Sequence, residues 1–192
     1  MGFLSKLLPG STTKVLKTTA DRPYRISNPT IGFLNLQGAA GVALADSDRS
    51  VLGPLFGHVL ESVSQVLRCE VLFIYCTIHP DGTVVGSPEP IREVIKKAGA
   101  HIAVVAAENP SAAYVKGVGP RGDWPANVVM TIDRKGAKFS HFFACLFESM
   151  FNGRSMLLTW VQLAPQIPGR EHPDSPSTIM AAEAGHLVFE RR

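Results

Sequence analysis

The sequence predicts an α/β protein: a doubly wound, mostly parallel sheet of about five strands with helices on both faces. Three observations carry this. Short apolar runs alternate with amphipathic stretches of helical period, the signature of α/β units. The strongest runs, residues 70–78 (EVLFIYCTI) and 101–107 (HIAVVAA), are nearly continuous in apolar side chains, as strands covered on both faces should be. The chain of 192 residues is 45% hydrophobic and 18% charged, the balance of one globular domain able to bury a core without disulfides or metals.

Residues 1–29 read as a basic, mobile arm ahead of a domain over 30–192. Lys6, Lys14, Lys17, Arg22 and Arg25 face only Asp21 there, a net of +4, while the rest of the chain carries 14 cations against 15 acids. The domain is therefore near neutral, which argues against a nucleic-acid-binding face. The apolar patch Phe3, Leu4, Leu7 and Leu8 ends at Pro9-Gly10. It is too short for a signal-peptide core or a stable isolated helix. No apolar run approaches the ~20 residues that span a bilayer.

Residues 31–36 (IGFLNL) form the first strand. Gly38-Ala39-Ala40-Gly41 opens a flexible loop to Asp46-Ser47-Asp48, and Asp48 or Ser50 caps a helix over about 49–67. Leu52, Leu55, Phe56, Val59, Leu60, Val63, Val66 and Leu67 recur there at i, i+3, i+4 and i+7. After the strand at 70–78, His79-Pro80-Asp81-Gly82 turns, and 83–85 is a short strand or part of a loop. Ser87 then caps a helix with Pro88 at its first position; Ile91, Val94 and Ile95 form its apolar face and Gly99 ends it. The strand at 101–107 leads into a short helix opened by Asn109-Pro110-Ser111, and residues 117–125 are a loop. A strand at 127–132, a helix at 138–151 and a strand at 155–163 follow. A proline-rich loop over 165–176, a short helix at 178–184 and a terminal strand at 187–189 complete the reading.

Residues 87–115 (SPEPIREVIKKAGAHIAVVAAENPSAAYV) carry a helix with I-x-x-x-I spacing, a strand of I-x-V-V type and a loop opening a short helix. In this the chain resembles TIR-type domains, and the resemblance implies their flavodoxin-like plan over 31–163. The family's NAD-cleaving enzymes carry a glutamate in the helix after that strand. Here the helix reads Ser111-Ala112-Ala113-Tyr114-Val115-Lys116, without an acid, and Glu108 precedes it. The resemblance therefore implies the fold and not the cleavage, and carries over no catalytic residue.

Crevices in open α/β sheets lie at the carboxyl ends of the strands. The loops expected there make Asp46, Asp48, His79, Asp81, Glu108, Asn109 and Asp133 ligand-facing candidates, with Ser87 at a helix start suited to an anion. Turn and capping chemistry explains the same residues. His141, Cys145 and Glu148 share one helical face. They read as the polar side of an amphipathic helix, or as a nucleophile or metal cluster. The opposite side holds Phe139, Phe142, Phe143, Phe147 and Phe151 over about 120° of arc, more than one sheet contact needs, so the surplus could face the core or another subunit. Cys69, Cys76 and Cys145 are odd in number and lack C-x-x-C spacing; free buried thiols and a cytoplasmic, reducing compartment fit them.

Two functions follow as expectations. The first is a non-catalytic interaction or assembly subunit. It binds another protein or its own copies through the arm (Phe3, Leu4, Leu7, Leu8, Lys14, Lys17, Arg22 and Arg25) and through the loop bearing Trp124. The second is binding or hydrolysis of a nucleotide-like ligand in the crevice. Neither requires a metal, and no cofactor is expected beyond that nucleotide. A peripheral membrane contact through residues 3–8 is a weaker third option.

Overall fold

The structure, a computed structural model, describes residues 24–110, 112–114, 124–133, 136–163, 177–184 and 186–191. Its strands are β1 (Tyr24–Ser27), β2 (Thr30–Asn35), β3 (His58–Ser62), β4 (Val71–Tyr75), β5 (Ile102–Glu108), β6 (Asn127–Asp133), β7 (Ser177–Ala181) and β8 (Leu187–Glu190). The helices are α1 (Ala39–Leu52), α2 (Ile91–Ala98), α3 (Ala137–Phe151) and α4 (Met156–Leu163). A 3₁₀ turn at Gly53–Leu55 follows α1.

Six strands form the main sheet in the order β3-β2-β4-β5-β6-β7. All neighbours are parallel except β6 and β7. The parallel strands follow the flavodoxin-like order, with an antiparallel strand added at one edge. The expected class holds, with six strands in place of about five. Alternate residues of each strand serve two cores. Ile31, Phe33, Val71, Phe73, Tyr75, Ile102 and Val104 pack under α1 and α3, whereas Leu34, Leu72, Ile74, Ala103 and Val105 pack under α2.

The phenylalanines of α3 fill the first core. Phe143 lies 5.4 Å from Phe73, Phe147 5.5 Å from Phe56, and Phe142 5.1 Å from Trp160 on α4. Phe151 stands 4.9 Å from Phe189 on β8. The arc that exceeds one sheet contact is thus covered by α4 and β8 of the same chain.

Several elements differ from the sequence expectation. The helix expected over 49–67 is α1, running from Ala39 to Leu52, and the loop expected over 38–48 lies within it. Gly53-Pro54 stops the helix, because proline lacks the N–H that continuation needs. Beyond Gly57 the chain resumes as β3, which pairs in parallel with β2 from Thr30↔His58 to Leu34↔Ser62. The expected strand at 155–163 is α4. Ser155 accepts the Leu158 N–H at 3.4 Å, an N-cap contact, and Met156 and Thr159 turn inward. The expected helix at 178–184 is β7, whose Thr178 pairs with Thr131 of β6. Helix α2 begins at Ile91 after Pro90, not at Ser87-Pro88.

Part of the expected arm also belongs to the fold. Tyr24–Ser27 pairs in parallel with β8, and Ile26 is buried.

Candidate functional site

The chain leaves β2 through α1 on one face to reach β3, and leaves β4 through α2 on the other face to reach β5. The topological switch point therefore lies between the carboxyl ends of β2 and β4, where ligands of open α/β sheets bind. Its mouth is bridged by the chain's own groups. Gln37 Nε2 donates to Thr77 Oγ1 at 3.2 Å, and the Leu36 N–H donates to the Tyr75 carbonyl at 2.8 Å. Asn35, at 4% exposure, accepts the Gln37 N–H at 3.0 Å and donates to the Gly38 carbonyl at 2.8 Å.

Most crevice candidates have local partners. Asp48 lies inside α1 rather than on a loop; it is fully buried and accepts the Tyr75 hydroxyl at 2.7 Å. Asp46, also on α1, is exposed and pairs with Arg49 at 3.0 Å. His79 and Asp81 form a turn in which Asp81 accepts the N–H and hydroxyl of Thr83 at 2.9 and 2.7 Å. Those two bonds, the N–H first, hold its carboxyl below the usual range. Ser87 accepts the Glu89 N–H at 3.2 Å instead of opening a helix. Asn109 ties two strand ends together, accepting the Ile78 N–H at 3.0 Å and donating to the Ala107 carbonyl at 2.7 Å. Glu108 ends β5 exposed, beside a register shift, and Asp133 closes β6. Behind this edge Tyr114 donates to the Thr131 carbonyl, and burial, helped by Glu108, pushes its phenol up to about 12.

The structure brings Asn109 beside the His79 turn but does not gather the candidates into one cluster. Phe3, Leu4, Leu7, Leu8, Lys14, Lys17 and Arg22 lie outside the described residues. Arg25, exposed on β1, pairs with Glu190. Trp124 is half-buried; its indole N–H donates to the Ala100 carbonyl at 2.9 Å and its ring lies 5.5 Å from His101. On α3, His141 and Glu148 are exposed, and His141 Nε2 stands 3.8 Å from Cys145 Sγ. Cys69 and Cys76 are buried, which pushes both thiols up to about 12. Among the described residues no group of three or more His, Cys, Asp or Glu is placed to hold a metal, and no helix is long and apolar enough to cross a membrane.

Sequence reasoning missed β3. Among the described residues it ends the sheet; its Val59 and Leu60 are 38% and 37% exposed, and Val63, just beyond it, is 72% exposed. Val42 of α1 adds a fourth aliphatic side chain at 47% exposure. Phe33, Val42, Ala45 and Val63 line a cleft of about 160 Å³ between β3 and α1. Its rim is acidic: Arg49 sits between Asp46 at 3.0 Å and Glu61 at 2.6 Å, leaving one carboxylate in excess. The run His58-Val59-Leu60-Glu61-Ser62 has no alternation to mark it, and a helical spacing of apolar residues runs across Gly53-Pro54; that Gly-Pro break was the signal that could have ended the helix there.

No protein-family model, no curated protein and no solved structure matches the chain.

Proposed function

We propose that this chain is a non-catalytic assembly subunit, in which the edge of β3 receives an extended basic segment of another copy, the N-terminal arm. The observation that carries the reading is the β3 edge, unpaired among the described residues, with exposed aliphatic side chains on and beside it. An edge strand presents a row of N–H and C=O groups that an incoming strand satisfies, while its side chains select the partner. Glu61 and Asp46 beside the edge favour a cationic strand. In the arm, Lys14 and Lys17 bracket Val15-Leu16, an apolar pair between two cations. Three free cysteines suit a reducing, cytoplasmic setting. The strand order supports kinship with TIR-type domains, without NAD cleavage.

Native mass spectrometry of the full chain tests the reading. Multiples of the 20.7 kDa chain are expected, reverting to monomer in Leu60→Lys, in Glu61→Lys and on deletion of residues 1–23. A full-length monomer, or oligomers untouched by all three changes, would refute it. The alternative, a nucleotide-like ligand in the crevice, is supported by the switch point between β2 and β4. It predicts a nucleotide-induced rise in Tm that Asp81→Ala reduces.

A further inference from the structure

A second cleft opens at the other end of the sheet, near the amino ends of β2 and β3, with a volume of about 350 Å³. That is within the usual ~300–1,000 Å³ of small-molecule sites. It lies between the turn from β1 to β2, the segment from Pro54 to His58, and the ends of α3 and β8. Asn28 shapes the first wall by taking a left-handed backbone, with φ at 48°, a conformation asparagine tolerates better than most residues. Pro29, Pro54 and Phe151 make the sides apolar.

Among the described residues lining this cleft Arg191 carries the charge and none is acidic; His58 reaches it from a different element as a further hydrogen-bonding group. Glu190, next in the chain, turns away to Arg25. The guanidinium of Arg191 is already fixed: its carbon stands 4.6 Å over the Phe151 ring and Nη2 donates to the Leu55 carbonyl at 3.3 Å. The helix ends nearby have already paired several of their own carbonyls. The Gly53 N–H takes the Arg49 carbonyl, the Asn152 N–H takes those of Glu148 and Ser149, and the Gly153 N–H takes that of Met150. The fixed guanidinium is then the dominant charge that an entering molecule meets. A guanidinium so held loses little freedom on binding, and its planar fork matches a carboxylate.

We propose that this cleft binds a small organic carboxylate with a flat apolar body. The carboxylate sits on Arg191 within reach of His58, and the body lies against Pro29, Pro54 and Phe151. The site meets β3 only at its first residue, His58, on the opposite end from the β3–α1 cleft, and does not depend on the assembly reading.

The probe is 2-naphthoate, titrated into the full-length protein and followed by backbone amide NMR. The expected result is saturable shifts at Leu55, Gly57 and His58. Affinity should exceed that of the neutral 2-naphthalenemethanol by about tenfold or more, the scale of one charge-assisted hydrogen bond, and that of acetate, which has the carboxylate without the apolar body, by at least as much through lost apolar burial. Arg191→Gln should cost a similar factor, and Arg191→Lys less. Arg191 is exposed, so the fold should survive, and unchanged amide dispersion checks this. Equal binding of the alcohol, equal affinity in Arg191→Gln, or shifts centred on the β3–α1 cleft would each overturn the proposal.

Discussion

Adding a single methyl group at Gly41 tests the turn from β2 into α1. Gly41 lies in the first turn of α1 and is buried against Asn35. A Cβ there would overlap Asn35 Oδ1 and stand 2.8 Å from its Cγ, closer than real Cβ contacts. The Asn35 amide must swing out, losing its bonds to the Gln37 N–H and the Gly38 carbonyl. Two such bonds are worth about 1 kcal/mol each, with more lost where a buried group is left unpaired. Alanine returns about 1 kcal/mol through helix propensity. Gly41→Ala should therefore destabilise by about 1–3 kcal/mol, a fall in Tm of roughly 2–4 °C per kcal/mol for a domain of this size. The sign must reverse in the Asn35→Ala background. There the obstacle is gone, and Gly41→Ala should stabilise by about 1 kcal/mol. Urea denaturation of the four proteins closes the cycle, with an expected coupling near 2 kcal/mol or above. Additive effects, or a Gly41→Ala single variant as stable as wild type, would refute the steric argument.

His101 carries a pH dependence. It is packed between Tyr24, at 5.1 Å, and Trp124, at 5.5 Å. Burial lowers its pKa below the ordinary 6.5, with Glu70 opposing. As pH falls below 6.5 the unfolded imidazole takes up a proton that the folded one resists, so stability declines until the folded pKa is passed. Urea midpoints between pH 7.5 and 5 should fall less steeply in His101→Phe, which keeps the stacking; an unchanged slope would count against this account. The cysteines should separate cleanly. With Ellman's reagent only Cys145 should react in the native protein, while buried Cys69 and Cys76, whose thiols lie near 12, react on unfolding. Fast native labelling of either buried thiol would contradict their placement.

What the sequence made legible was the middle of the sheet. Residues 71–75 and 102–107 are apolar without interruption because both their faces are covered, and α3 is long enough for its period to stand out. The edges were harder. The run 155–163 (SMLLTWVQL) is mostly apolar and short, so periodicity could not choose between strand and helix; the Ser155 cap accompanies the helix. β7 gains its identity from pairing with β6, and β1 from β8, which is 163 residues away at the register Tyr24↔Leu187. No local pattern contains such partners. The site suffered in the same way. Asp46 and Asp48 looked like loop carboxylates because α1 was placed ten residues late, and the β3 edge disappeared inside the same misplaced helix.

The pairing of β1 with β8 has a mechanical consequence. The strands are parallel, so Tyr24 and Glu190 lie at opposite ends of the pair. Tension applied between handles joined ahead of Tyr24 and after Glu190 would slide the strands lengthwise. The hydrogen bonds between them would then share the load instead of opening one after another. The small sheet acts as a shear clasp, and the six-stranded core behind it feels the force only after the clasp gives way. Extension traces should show one high-force event releasing the segment before β2, followed by weaker ones.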